Sequence, residues 1–362
     1  MLELTQLELS RYQQQLKLPE IGVEGQLKLK AARVLCVGAG GLAAPLLLYL
    51  AAAGIGTLSI VDNDQLELSN LQRQILYGTS DLGRDKVQLT QERLINLNPE
   101  IKIEIHTERL NLSNATELIA HYDLVADCSD NFATRYLVND FCHQLKKPLV
   151  TASIDRFNGQ CTFFSNTTKS PCYRCLFPRP PRADLIPNCA EGGVLGVLPG
   201  IVGTIQATEI LKWILGIGSL LTERLLTINS LDMSFREFKF SQNPECELCV
   251  HAKTATELLV SEYCADDPFI SVQALKESIT QKRDLLLLDV RSVAEHQESN
   301  IGGVLIPLDE LTQRLAELSS AKDIVVYCRS GKRSQAAVEL LSKANYSSVK
   351  YLRGGILAYL AE

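Results

Sequence analysis

With 362 residues, 46% of them hydrophobic, the chain is long for one domain and can fill two cores. Its formal net charge of −6 argues against a nucleic-acid or anionic-membrane partner, and no apolar run reads as membrane-spanning. The start lacks the basic and apolar regions of a secretory signal, and eleven cysteines spread over so long a chain exclude a small disulfide scaffold, so a reducing cytoplasm is expected.

In chain order, residues 1–30 have helical, amphipathic spacing. RVLCV (33–37) predicts a strand that runs through GAGGLA into an Ala/Leu helix ending near Ala53. TLSIVD (57–62) is the next strand, 84–97 a helix, IKIEIH (101–106) a strand, and HYDLVADCSDN (121–131) a strand with a polar end. A helix to about Lys146 and the strand PLVTAS follow. This β-α-β-α rhythm predicts a mostly parallel sheet covered by helices. QCTFFS (160–165), LLTIN (225–229) and REFKF (236–240) read as antiparallel additions, with a helix over 200–215. The stretch 252–267 reads as a linker. Beyond it DLLLLDVRS, DIVVYCRS and SVKYL are strands of a second, smaller α/β unit. The expected domains are therefore 1–251 and 268–362.

Gly38, Gly40 and Ala43 form G-x-G-x-x-A between a strand and a helix. The first Gly permits the turn, the second lets a phosphate approach the backbone, and the small third residue lets helix and strand pack closely. Asp62, ending the second strand, is placed for a ribose hydroxyl. Asn70, Arg73 and Gln74 follow in SNLQRQ, and Lys86 in GRDKV. A dinucleotide dehydrogenase has little use for these cations. A triphosphate does, because they neutralise phosphate charge and stabilise departing pyrophosphate. DCSDN (127–131) puts carboxylates at a strand's carboxyl end, where Mg²⁺ bridging phosphates would sit.

These segments resemble the adenylating domain of the ubiquitin-activating superfamily, most of all the bacterial activators of the sulfur carriers for molybdopterin and thiamine synthesis, over about residues 8–251. The resemblance implies a Rossmann-like fold that binds Mg-ATP and adenylates the C-terminal glycine of a small β-grasp protein ending in Gly-Gly. It implies that Asp62 holds the ribose, that Asn70, Arg73 and Lys86 hold the phosphates, that Gly38, Gly40, Gly41, Gln74 and Asn131 line the nucleotide well, and that Asp130 takes the magnesium. Arg11 resembles an arginine that reaches into a neighbouring subunit's site, which implies a homodimer. Ala43 replaces the third glycine at the cost of one methyl.

Two C-x-x-C pairs, Cys172/Cys175 and Cys246/Cys249, have the spacing with which two short hairpins bind one tetrahedral Zn²⁺. The resembling family carries this zinc too. Cys189 lies between them after a proline-rich stretch, on an expected loop over the site. In the family the corresponding cysteine can join the carrier covalently or accept sulfur, and some members dispense with it. Cys36, Cys128, Cys142, Cys161 and Cys264 show no partner spacing and are expected to be core or incidental.

Cys328 follows DIVVY and precedes a helix beginning near Lys332, so loop amides and the helix's positive end surround its sulfur. Arg329, Lys332 and Arg333 add positive charge, which favours a thiolate or persulfide anion. A phosphatase loop of the form C-x-x-x-x-x-R would need Arg where Ser334 stands. The shorter ring suits one sulfur atom. C-R-S-G-K-R-S, with DVRSVAEHQ and GGILAY, resembles the rhodanese sulfurtransferases. There Asp289, Arg291 and Glu295 would support the fold and the loop. ESNIGG (298–303) departs from the family's usual G-H before the Ile.

The sequence thus reads as an adenylyltransferase fused to a sulfurtransferase. The front domain activates a carrier's carboxyl end, and a Cys328 persulfide, loaded by a donor such as a cysteine desulfurase or thiosulfate, delivers the sulfur. Two alternatives stay open: an activator that forms a carrier thioester or persulfide adduct on Cys189, and a nicotinamide oxidoreductase.

Overall fold

The computed structural model describes residues 3–180, 193–264, 269–281, 285–318, 323–344, 346 and 348–361, and divides into two units, Met1–Leu259 and Val260–Glu362. Cys189 and most of its proline-rich loop lie outside the described residues, as do the side chains of Cys264 and Lys332.

In the first unit, β1 (Arg33–Val37) pairs in parallel with β2 (Thr57–Val61) on one side and β4 (Leu124–Asp127) on the other. With β3 (Lys102–His106), β5 (Leu149–Asp155), β6 (Asn158–Phe164), β7 (Arg224–Asn229) and β8 (Ser234–Lys239), the order is β3-β2-β1-β4-β5-β6-β7-β8. Pairing is parallel through β5 and antiparallel from β5 to β8. The apolar run of helix Ala43–Ala53 supplies Leu46, Leu47 and Leu50 to a core with Ile60, Val150 and Phe163, all at most 1% exposed. Burial on both faces explains why β1, β2 and β4 read as continuous apolar runs. Helix Leu198–Leu215 crosses the helix Ala43–Ala53 closely, because Gly203 offers no side chain to the Leu42 carbonyl and Pro45.

The helical stretch expected over 1–30 is three helices, Gln6–Arg11, Gln13–Leu16 and Gly22–Ala31. Pro19 stands in the last break, where its ring disfavours a continuing helix. Within the expected linker, Ala255–Cys264 is helical.

The second unit holds a parallel five-stranded sheet, β11-β10-β12-β13-β9, made of β9 (Phe269–Ile270), β10 (Leu285–Asp289), β11 (Val304–Leu305), β12 (Asp323–Tyr327) and β13 (Val349–Leu352). The two-residue strands β9 and β11 had no sequence signal, being too short to show a period. Leu288, Val326, Leu341 and Cys328 share one core of this unit.

Candidate functional site

The order of the first sheet reverses between β1 and β4, and crevices form at such switch points. The turn after β1 and the turn after β4 stand there together. Gly38 has φ +96, and a Cβ on it would lie 3.0 Å from the Cys128 carbonyl oxygen, so the two turns pack only with glycine here. At Gly40 the nearest atom to such a Cβ is 3.7 Å away. A side chain there would fill the crevice itself.

That crevice has a volume of about 360 Å³. Gly38, Gly40, Gly41, Asp62, Arg73, Gln74, Lys86, Asp130 and Asn131 all line it. Asp62 accepts the Ala39 and Asp64 amide hydrogens, each at 2.7 Å. Burial raises the Asp62 carboxyl above its ordinary range despite these bonds. Lys86, beginning helix Lys86–Leu97, has a side chain only 6% exposed, paired with Asp64 at 2.8 Å. Arg73 donates to the Ser69 carbonyl at 3.1 Å. Gln74 is buried, and its Oε1 finds no donor among the described residues. The crevice thus offers open glycine backbone, the cations Arg73, Lys86, Arg109 and Arg135, and an unsatisfied acceptor, which fits a polyanionic ligand with its own donors.

Of the two carboxylates of DCSDN, the structure separates the roles. Asp127 is fully buried and accepts from Ser129 N–H, Ser129 Oγ and Thr151 Oγ1 at 2.6–3.0 Å. Asp130 is exposed on the wall of the crevice. Asn131 accepts the Thr134 amide hydrogen and caps helix Phe132–Gln144.

Asn70 stands behind the wall. Its Oδ1 accepts from the Glu67 amide, and its carbonyl accepts from the amides of Arg73 and Gln74. It shapes the turn that presents those two. Arg11 is exposed, donates to the Leu97 carbonyl at 3.0 Å and is not among the lining residues. Asp64, Tyr77 and Arg135 were not singled out from the sequence. Arg135 lines the crevice, buried, and donates to the Ser129 carbonyl at 3.2 Å. Only the position of Asp64, two residues beyond Asp62, gave any hint.

The four cysteines of the C-x-x-C pairs come together from segments about seventy residues apart, all sulfurs within 4.8 Å of one another. The separations Cys172–Cys246, Cys175–Cys249 and Cys172–Cys175 are 3.6, 3.4 and 3.9 Å. A tetrahedral ion with metal–sulfur bonds of about 2.3 Å sets its sulfurs about 3.8 Å apart, so the set fits one metal ion. Gln242 Nε2 donates to Cys249 Sγ at 3.4 Å, an outer contact that orients a ligand. Cys36, Cys128, Cys142 and Cys161 are buried and free.

In the second unit, β10 and β12 end level, with Asp289 beside Tyr327. The DVR turn therefore lies next to the cysteine loop. Cys328 is buried and accepts the Gly331 amide hydrogen at 3.1 Å, with Ser334 Oγ 3.5 Å from its sulfur. Gly355 presses on the loop from below: a Cβ on it would sit 2.4 Å from the Cys328 carbonyl oxygen. Asp289, fully buried, accepts from Arg291 N, Nε and Nη2 at 3.0, 2.9 and 2.7 Å, with His296 Nδ1 at 2.8 Å. Burial alone would raise the Asp289 carboxyl; the Arg291 and His296 bonds outweigh it and hold it below its ordinary range. Arg291 also donates to the Ser299 carbonyl, so the ESNIGG departure keeps that anchor.

Arg333 does not face the sulfur alone. It forms a bidentate pair with Glu295 at 2.6 and 2.8 Å, which lowers the Glu295 carboxyl to about 2. Its charge is shared with a carboxylate from the helix Val293–Glu298, a pairing across 38 residues that the sequence does not announce.

The ThiF family model matches residues 12–248 and the rhodanese-like domain model residues 271–362. A Mycobacterium tuberculosis protein named probable adenylyltransferase/sulfurtransferase MoeZ is 42% identical over 373 residues, 98% of this chain and 94% of that protein. The sulfur carrier protein adenylyltransferase of Thermus thermophilus is 49% identical over 259 residues, 70% of this chain and 96% of that one. The crystal structure of E. coli MccB matches with a TM-score of 0.58 at 23% identity, over 66% of this chain and 72% of that one, a likeness of fold.

Proposed function

Since the chain belongs to the ThiF family and ends in a rhodanese-like domain, we propose that it adenylates the C-terminal glycine of a small sulfur-carrier protein and then sulfurates it. The observation that carries this reading is the pairing, on one chain, of a glycine-walled crevice flanked by Arg73 and Lys86 with a buried cysteine whose sulfur accepts a loop amide.

A carboxylate is a poor electrophile. Attack by the carrier's carboxylate on the α-phosphate of ATP gives an acyl-adenylate and releases pyrophosphate. Asp62 would hold the ribose, and Arg73 and Lys86 would stabilise the charge that builds on the departing phosphates. The aimed glycine backbone would receive the phosphates. Asp130 would hold Mg²⁺, which would neutralise phosphate charge. The Cys328 persulfide then attacks the acyl carbon, AMP leaves, and an acyl disulfide forms on Cys328. A thiol reductant cleaves the sulfur–sulfur bond with two electrons, leaving the carrier's thiocarboxylate and the Cys328 thiolate. The Gly331 amide would support the Cys328 thiolate that the reduction leaves. The four clustered cysteines would bind structural Zn²⁺, which fastens the segment around Cys172 to that around Cys246.

We place the protein in the cytoplasm, where free thiols persist; every cysteine whose side chain is described is free, and among the described residues no helix is long and apolar enough to cross a membrane. A homodimer would let Arg11 serve a neighbouring crevice. The sulfur would come from a persulfide-forming enzyme or thiosulfate.

The test is the intact mass of the carrier after incubation with ATP, thiosulfate, reductant and enzyme. Wild type should yield thiocarboxylate, and Cys328→Ala should yield none while retaining ATP–pyrophosphate exchange. Thiocarboxylate formed at the wild-type rate by Cys328→Ala would remove the cysteine from the reaction.

A further inference from the structure

Tyr77 is buried behind the crevice, its ring packed with Ala44, Leu66, Leu76 and Leu89. Its hydroxyl stands where two parts of the nucleotide wall meet. It donates to the Ala39 carbonyl at 2.8 Å, inside the glycine turn. It lies 2.9 Å from Thr90 Oγ1 and 3.4 Å from the Lys86 carbonyl, at the start of the helix that carries Lys86. Thr90 Oγ1 also reaches the Lys86 carbonyl, at 2.8 Å.

The bond to Ala39 has a geometric consequence. In a trans peptide the C=O and N–H point in opposite directions. Drawing the Ala39 carbonyl inward to Tyr77 turns the Gly40 N–H outward, toward the crevice. Nothing else takes that hydrogen: among the described residues no group accepts from Gly40 N–H. On the other side of the same turn, Asp62 takes the Ala39 N–H at 2.7 Å. The two bonds fix both peptide groups that flank Ala39.

We infer that Tyr77 is a positioning residue of the nucleotide site: its hydroxyl aims the Gly40 amide at the phosphates and ties that amide to the Lys86 end of the helix Lys86–Leu97. The inference rests on reading the crevice as the ATP site. Tyr77 touches no substrate. It meets Gly40 and Lys86 only through their backbone, and the Lys86 ammonium keeps its separate hold on Asp64 at 2.8 Å, so its loss weakens ATP binding far more than it slows the chemical step once ATP is bound. Burial pushes the Tyr77 phenol well above its usual range, so the hydroxyl keeps its proton and its donor role at every working pH.

The experiment uses the full chain with Tyr77→Phe, which keeps the ring and removes only the hydroxyl. Mg-ATP binding is measured by titration calorimetry, and carrier-dependent exchange is followed against ATP concentration. Thiosulfate:cyanide sulfurtransfer, performed by the other unit, normalises the amount of folded chain. ATP affinity should fall about five- to tenfold, the size expected for one lost buried hydrogen bond, and the exchange rate at saturating ATP should stay within about twofold. Thr90→Val, isosteric and one hydroxyl further along, should shift affinity in the same direction by less. Wild-type ATP affinity in Tyr77→Phe overturns the inference, and so does a lowered saturating rate with affinity unchanged. A merely structural role would lower the melting temperature and leave the affinity where it was. If the wild-type chain itself binds no ATP, the nucleotide reading fails first, and the calorimetry shows that separately.

Discussion

Asp289→Ala tests what holds the sulfurtransferase half together. Asp289 is 0% exposed and Arg291 3%, and the carboxylate takes hydrogen bonds from three donor atoms of that one residue. Removing it strands a guanidinium in the interior. Breaking a buried pair from one side costs roughly 3–5 kcal/mol. For a unit of the size of Val260–Glu362, each kcal/mol moves the melting midpoint by about 4–8 °C, so the midpoint should fall by about 12 °C or more. Asp289→Asn keeps an acceptor in place and should cost less. Calorimetry of the full chain is the assay, with thiosulfate:cyanide turnover after heating reporting the second unit and ATP–pyrophosphate exchange reporting the first. The pH dependence has a definite sign. Because the Asp289 carboxyl is held below its ordinary value, the pair's stabilisation is complete above the usual carboxylate range and fades as pH falls from about 4 toward the depressed value. Asp289→Ala should lack that acid limb. A midpoint shift worth less than about 1 kcal/mol, the range of exposed pairs, would refute the claim that this pair is buried and essential.

Two further outcomes bear on the first unit. Cys246→Ser with Cys249→Ser should release about one zinc ion per chain, as four thiolates fill one tetrahedral shell, and lower the midpoint of Met1–Leu259 while sulfurtransfer persists; elemental analysis of reduced wild type without zinc would dismiss the site. Arg73→Ala or Asp130→Ala should cut carrier-dependent exchange by about 10²–10³, the usual cost of one transition-state contact, and unaltered exchange in both would dismiss their assignment.

Periodicity and punctuation in the sequence were enough for the longer strands and helices of both units, because burial on two faces writes itself as apolar runs and tight turns as glycine, but not for the two-residue strands β9 and β11. The glycine turn, each C-x-x-C pair by itself and the Cys328 loop are local patterns that the sequence shows because their residues stand only a few positions apart; that the two pairs meet, and that Arg73 and Lys86 line one crevice, is set by the fold. What the sequence could not reveal was anything set by residues distant along the chain. Which carboxylate of DCSDN is buried and which faces the crevice depends on Thr151 and Ser129 closing over Asp127. Arg333 reads as a free cation, yet Glu295 neutralises it from another helix. Nothing in the sequence singles out Tyr77, and only the meeting of the glycine turn with the helix Lys86–Leu97 gives its hydroxyl the Ala39 carbonyl, Thr90 Oγ1 and the Lys86 carbonyl as partners. Hydrogen bonds and ion pairs act over about 3 Å in space and are indifferent to sequence separation, so tertiary structure alone decided them.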